Sequence, residues 1–379
     1  MPLTSVIARA IRIPVSRPTR MSTRDLNQRD YLLVEVRSSD TDEVGIGYAY
    51  TGTSGGPMVA DAVTDMLAPL LVGRDSDAIV SHWERMYQET LLVGRRGGVL
   101  RAMSAVDLAL WDLSAKRRKT PLAVLLGGGL APIPAYASGG YYRSDDGPWV
   151  EAVTKEIQFN ASLGFRDHKI KVGGLPIAQD ALRVEAAVAA AGPDGRVALD
   201  ANNAYRNVPD ALKALRSFEA AAGSQGLWWF EEPMAADDIE GHAELNRRSD
   251  TTIATGEIHQ TRWDFQALLD RRACGLLQPD VAVIGGVTEY MRVAHAAELA
   301  GVPTAPHWHA NAHVHVAAAT PGCIAVEHFA LEKDIYNFEM LLDPASRLVV
   351  RDGHAELSEL PGLGIVIDEA AVQKYELTR

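Results

Sequence analysis

Hydrophobic positions along the chain change period twice, and the changes predict its organisation. Near the N-terminus, Ser5 to Pro14, Tyr31 to Arg37 and Glu43 to Tyr50 are short runs rich in β-branched and aromatic residues, which predicts three strands. Apolar residues then recur at helical spacing from about Met58 to Leu71 and from Val99 to Lys116. Strands followed by helices make this an α+β unit. The pattern breaks at Gly127, Gly128, Gly129, Leu130, Ala131 and Pro132. No lysine-serine pair follows the glycines, so they read as a linker rather than a phosphate loop.

Beyond the break, short apolar runs alternate with amphipathic ones. Strands are predicted at 133–138, 165–172, 196–200, 227–231, 252–256, 275–279, 302–306 and 324–328, and helices at 176–190, 208–222, 239–248 and 287–299. Strand-helix units spaced by roughly 25 residues predict a closed parallel α/β barrel. The expected division is 1–130 for an N-terminal α+β domain, 131–335 for the barrel, and 336–379 for a tail that includes a strand at 347–351 and packs back on the first domain.

A barrel of this kind collects its chemistry where strands end. Successive predicted strands finish in Lys169 and Lys171, Asp200 and Asn202, Glu231 and Glu232, Glu257, Asp280, His307 and Glu327. Singly each has a structural explanation, as a helix cap or a satisfied core residue. Together they would bury a ring of charges at a cost of several kcal/mol apiece unless partnered or used. Asp200, Glu231 and Glu257 offer only oxygen ligands from adjacent strands, the set a hard cation prefers, and Mg2+ is the expected metal. The histidines at 307, 309, 313 and 315 are a weaker, zinc-type alternative. Lys169 and Lys171 point to one face of their strand. Their repulsion, about 3 kcal/mol at 6 Å and an effective dielectric near 20, is expected to bring one lysine down by about two pKa units, toward useful basicity. Asp280 beside His307 would fix the imidazole tautomer and make a second proton carrier.

Composition narrows the partners. With 47% hydrophobic residues in 379 the chain can bury a large core, and a formal charge of -12 argues against nucleic acid or an anionic membrane as partner. The segment before Asp25 has five arginines and no acid, but its strand-like pattern favours structure over a transit peptide. Two cysteines, no leader and no run near the roughly 20 apolar residues of a membrane span fit a cytoplasmic protein.

At these residues the sequence resembles the mandelate racemase subgroup of the enolase superfamily, over nearly the whole chain. The family's Lys-x-Lys appears as Lys169 and Lys171, its metal carboxylates as Asp200, Glu231 and Glu257, and its Asp/His dyad as Asp280 and His307. The segment from Pro279 to Val287 also looks like the family's sixth-strand segment. The muconate-lactonising subgroup usually has Asp at the third ligand and Lys at strand six, and fits less well. The resemblance implies a modified TIM barrel, (β/α)7β-like, with an N-terminal α+β capping domain completed by the C-terminal tail.

It also implies magnesium-assisted removal of the proton α to a carboxylate, giving an enediolate. Lys171 would be the base, with Lys169 and a protonated Glu327 supporting the substrate carboxylate. Loss of a β-hydroxyl, protonated by His307, would make the chain an acid-sugar dehydratase producing a 2-keto-3-deoxy acid. Reprotonation from the opposite face would make it a racemase or epimerase, and a non-catalytic ligand-binding barrel is the alternative of another class. The small-molecule substrate would be a sugar acid, met by capping-domain loops near 17–30 and 48–56. The candidate contacts there and nearby are Arg20, Arg24, Tyr48, Tyr141, Asn202 and His309. A homo-oligomer is expected on the resemblance alone.

Overall fold

A computed structural model describes residues 1–378. Strands β1 (Leu3–Arg20), β2 (Asp25–Ser38) and β3 (Gly45–Tyr50) form an antiparallel sheet in that order. Alternation along β2 sends Leu32, Val34 and Val36 into a core shared with the helices that follow, and Tyr31 and Leu33 into a second core shared with the barrel. The sheet is therefore covered on both faces. Helix Gly98–Arg117 lies close against β3 because Gly45 and Gly47 have no side chain. A Cβ at Gly47 would fall 1.9 Å from the Ala105 carbonyl oxygen.

The helix expected from Met58 to Leu71 is three consecutive segments, Gly56–Asp61, Ala62–Leu67 and Ala68–Leu71, the middle one π-helical. A further helix, Ile79–Glu89, escaped the sequence reading. It buries Ile79, His82, Trp83 and Met86, an i, i+3, i+4, i+7 stripe.

From Ile133 the chain winds a parallel barrel: β4 (Ile133–Gly139), β5 (His168–Lys171), β6 (Val197–Asp200), β7 (Phe230–Glu231), β8 (Ile253–Thr255) and β9 (Leu276–Leu277) pair in order. The strand predicted at 302–306 is reduced to Thr304, which bridges Leu277 on one side and Cys323 on the other. β10 (Val326–His328) pairs with β4 and closes the ring. Side chains alternate between an interior of Tyr136, Ala198, Trp229, Ala254, Leu276 and Ala305 and an outer layer, including Ile170, Leu199, Phe230 and Ile253, that meets the helices. Small residues leave interior room for the large rings and for the charged groups above them.

The returning tail divides between both units instead of packing on the capping sheet alone. The hairpin β11 (Val350–Arg351) and β12 (His354–Ala355) continues the barrel sheet beside β4, because the start of β4 offers it an unpaired edge. The last helix, Glu369–Tyr375, reaches β1, where Arg9 bonds Glu369 and Glu376. The two cysteines are unpaired, and no helix among the described residues is long and apolar enough to cross a membrane.

His315 joins the parts. Its Nδ1 accepts from the Ala123 amide at 3.2 Å and its Nε2 donates to the Leu363 carbonyl at 3.1 Å. Burial holds this imidazole down at about 4, against the opposing bond to Leu363. A folded pKa below the unfolded value near 6.5 means that stability is present at neutral pH and lost as pH falls toward 4, by about 3 kcal/mol for this group. Chemical denaturation at about pH 7 and about pH 4.5 should therefore show a smaller acid-induced loss for His315→Asn than for wild type. Equal losses would remove His315 from the acid sensitivity of the fold.

Candidate active site

Strand register brings the ionisable residues to one level. Lys171 pairs with Asp200, and Asp200 with Glu231, so three neighbouring strands present these side chains side by side at their carboxyl ends. Glu257 follows β8 at Gly256, whose φ of 137° is glycine territory and turns the chain into the mouth. Ligand oxygens of Asp200, Glu231 and Glu257 all lie within 4.8 Å of one another, and this is the one such cluster among the described residues. Glu257 Oε2 is buried without a hydrogen-bond partner. Three converging carboxylates with an unfilled acceptor suit a hard divalent cation in number, chemistry and burial. The zinc alternative is not met, because no histidine belongs to the cluster and His315 is engaged with Ala123 and Leu363.

The neighbours fix each oxygen. Trp229 Nε1 and Gln278 Nε2 donate to Glu231 Oε2 at 2.8 and 2.6 Å. The Asn202 amide and side chain donate to Asp200 at 2.8 and 3.2 Å, with Asn202 itself at a φ of 44°. Glu232, adjacent to Glu231 but turned away by a φ of 42°, bonds Thr255, the Gly256 amide and Asn203, and so belongs to the scaffold.

Electrostatics within the cluster reverse one expectation. Lys171 Nζ bonds Asp200, and Lys169 Nζ lies between Glu231 and Glu327, 2.8 Å from the latter. Although burial disfavours their charged forms, these carboxylates raise both lysines, and mutual repulsion is outweighed. Burial with Lys169 opposing pushes Glu231 up to about 8, whereas Asp200, despite burial, is brought to about 2 by Lys171 and Lys169. Glu327 also departs from expectation. Burial favours its protonated form, but Lys169, His307 and Lys171 bring it to about 2, and it accepts from the Trp308 amide at 2.7 Å. It is an ionised acceptor here, not a protonated donor.

The dyad sits on the other flank of the carboxylates. His307 Nδ1 lies 3.1 Å from Asp280 Oδ2, and its Nε2 faces Glu257 Oε2 at 3.4 Å. Burial lowers the imidazole, but Glu257 and Asp280 prevail and raise it to about 9. Asp280, against burial, is held well below the carboxylate range by His309, His307 and His313.

A cavity of about 300 Å³ lies over these groups. Lys171, Asn202, Glu257, Asp280 and His307 line it from the barrel, with Tyr141 beside them. Arg24 lines it from the β1–β2 loop, which is tied down where Ser22 and Thr23 donate to the carbonyls of Val172 and Asn202. Three expected contacts lie elsewhere. Arg20 donates to the Gly174 carbonyl and stacks on Tyr142 in a separate cleft. Tyr48 and His309 are fully buried, packed edge to face 5.1 Å apart, with Phe338 stacked on Tyr48. Their aromatic character serves the interface between capping sheet and barrel. Arg101 and Trp308 also line the cavity and are absent from the sequence expectations, as is Arg29 by name, although it falls in the segment near 17–30. Arginine on a strand or helix far from the strand-end motifs carries no local signal of that placement.

Residues 4–127 match the family model described as mandelate racemase / muconate lactonizing enzyme, N-terminal domain, and residues 152–371 match the enolase C-terminal domain-like model. The chain is 32% identical over 359 residues to an arabinonate dehydratase of Saccharolobus solfataricus, covering 92% of this chain and 91% of that protein. Among solved structures, a racemase from Streptomyces coelicolor A3(2) with bound magnesium superposes with a TM-score of 0.90 at 31% identity, over 99% of this chain and 100% of that one. L-talarate dehydratase from Polaromonas sp. JS666, complexed with Mg and L-glucarate, superposes with a TM-score of 0.88 at 31% identity, over 100% and 98%. The chain belongs to the mandelate racemase / muconate lactonizing enzyme family of the enolase superfamily.

Proposed function

We propose that this member of the enolase superfamily is a magnesium-dependent lyase that dehydrates a sugar acid to its 2-keto-3-deoxy product. One observation carries the reading: an all-oxygen cation site is flanked by a lysine on one side and an Asp-supported histidine on the other. A binding protein has no use for two proton carriers placed so. The dehydratase names of the Saccharolobus and Polaromonas relatives, and the magnesium and L-glucarate in the latter's structure, support the same class.

Asp200, Glu231 and Glu257 would hold magnesium, which supplies positive charge against the second negative charge that builds on a carboxylate when its α proton leaves. With Asp200 serving as a ligand, Lys171 would be freed from the partner that now keeps it protonated. Lys171 is placed to take the α proton. Lys169, fixed by Glu231 and Glu327, stays cationic beside the substrate carboxylate. The Cα–H electron pair forms the Cα–Cβ double bond, and the β-hydroxyl leaves with a proton from His307 Nε2. The resulting enol ketonises to the 2-keto acid.

Incubation with magnesium and a panel of aldonic and aldaric acids should yield 2-keto acid with a member of the panel. Solvent deuterium entering Cα with no keto acid would favour the racemase reading, which the same pair of proton carriers can serve. Neither product, with magnesium bound, would leave a ligand-binding barrel.

A further inference from the structure

Most arginines that are well buried in this acidic chain have a carboxylate or a carbonyl to hold. Arg183 bonds Asp180 and two carbonyls, and Arg117 bonds Asp40 and Asp77. Arg29 on β2 is different. It is 2% exposed and lines the cavity, with no ion pair. Its Nη1 donates to the Tyr50 hydroxyl at 3.0 Å, while Nε and Nη2 have no hydrogen-bond partner. Its guanidinium lies 4.5 Å from the centroid of the Trp308 ring and 5.2 Å from that of Tyr50. Arg101, on the first turn of helix Gly98–Arg117, lines the same cavity and bonds only the Tyr50 carbonyl, at 2.8 Å.

A buried guanidinium with no anion, as at Arg29, is costly to keep, and Arg101 has Asp280 and Glu257 only beyond ion-pair distance. Ring faces and a hydroxyl offset part of that cost, but they leave free the Nε and Nη2 edge that a planar carboxylate takes in two parallel bonds. The barrel wall of the cavity carries the metal-ligating end and the capping wall carries these cations. With magnesium held at the barrel end, a ligand that spans the cavity would meet positive charge at both ends.

We propose that Arg29, with Arg101, receives the second carboxylate of the substrate, so that the enzyme acts on aldaric diacids in preference to aldonic monoacids. This rests on the dehydratase reading, and it assigns specificity to residues of the capping domain that no strand-end motif contains.

The test compares kcat/KM for matched hexarate and hexonate pairs of each configuration, with the magnesium-loaded enzyme, in wild type, Arg29→Met, Arg29→Lys and Arg101→Met. For the reactive configuration, wild type should favour the diacid by about tenfold or more, the scale of a charge-assisted bidentate pair. Arg29→Met and Arg101→Met should bring that ratio toward one, and Arg29→Lys should recover only part of it because a single ammonium lacks the fork. Thermal unfolding supplies a readout without turnover: Arg29→Met should match or exceed the wild-type Tm, since an unpaired buried charge is removed. Monoacids turned over as well as diacids by wild type, or a diacid preference that survives both methionine variants, would overturn the proposal and leave the dehydratase reading standing. A lowered Tm with the preference intact would make Arg29 a structural residue. Keto acid from neither series would sink the dehydratase reading, and this inference with it.

Discussion

Replacing Lys171 by methionine is expected to lower kcat for keto-acid formation by about three orders of magnitude, within the range for removing a general base. The side chain is buried, its Nζ touches Asp200, and the Tyr141 ring lies 5.1 Å away. Methionine keeps much of the packing and removes only the proton carrier. Magnesium affinity should hold or rise, because Asp200 loses a competing cation. Rapid kinetics together with a metal titration separates the two effects. A variant with near wild-type turnover would take the base role from Lys171, and one that loses magnesium as well would make its role structural.

Replacing His307 by asparagine should split the reaction. The imidazole Nδ1 is held by Asp280, which favours its protonated form, and its Nε2 faces the cavity beside Glu257. Without it, keto-acid formation is expected to drop about a thousandfold, while Lys171 continues to exchange the α proton with solvent. Proton NMR in deuterium oxide measures both on one sample. If exchange and elimination fell in parallel, His307 would not be the separate acid that the geometry suggests.

The sequence reading was strongest where a rule of the barrel made positions informative. Strand ends are where a barrel gathers its charged groups, so Lys171, Asp200, Glu231, Glu257, Asp280 and His307 stand out in the sequence, and the fold brings them to one mouth. The helix Ile239–Arg248 was located to the residue because its apolar stripe and its Asp238 cap coincide. The strand at 302–306 was overestimated, since an apolar run says nothing about how many ladder bonds its neighbours leave it, and only Thr304 pairs. The helix Ile79–Glu89 had the right period but a polar outer face that hid it.

Electrostatics were the least readable. Two lysines in a sequence repel on paper, but Glu231, Glu327 and Asp200 arrive from other strands and dominate them. Tyr48 on an expected capping-domain loop and His309 beside His307 are expected substrate contacts, yet Phe338 and Tyr336 bury them. Arg29 lies within the segment near 17–30 expected to meet substrate, but nothing singles it out there, because its meaning lies in the absence of an anion that only the folded chain reveals.

Diffraction at the manganese absorption edge from crystals grown with Mn2+ would locate the cation, since that ion shares magnesium's preference for oxygen ligands. The expected result is one strong anomalous peak bonded to Asp200, Glu231 and Glu257 at once, with Lys171 Nζ moved off Asp200. A fully exchanged crystal with no peak there, or with the ion held by other residues, would contradict the account.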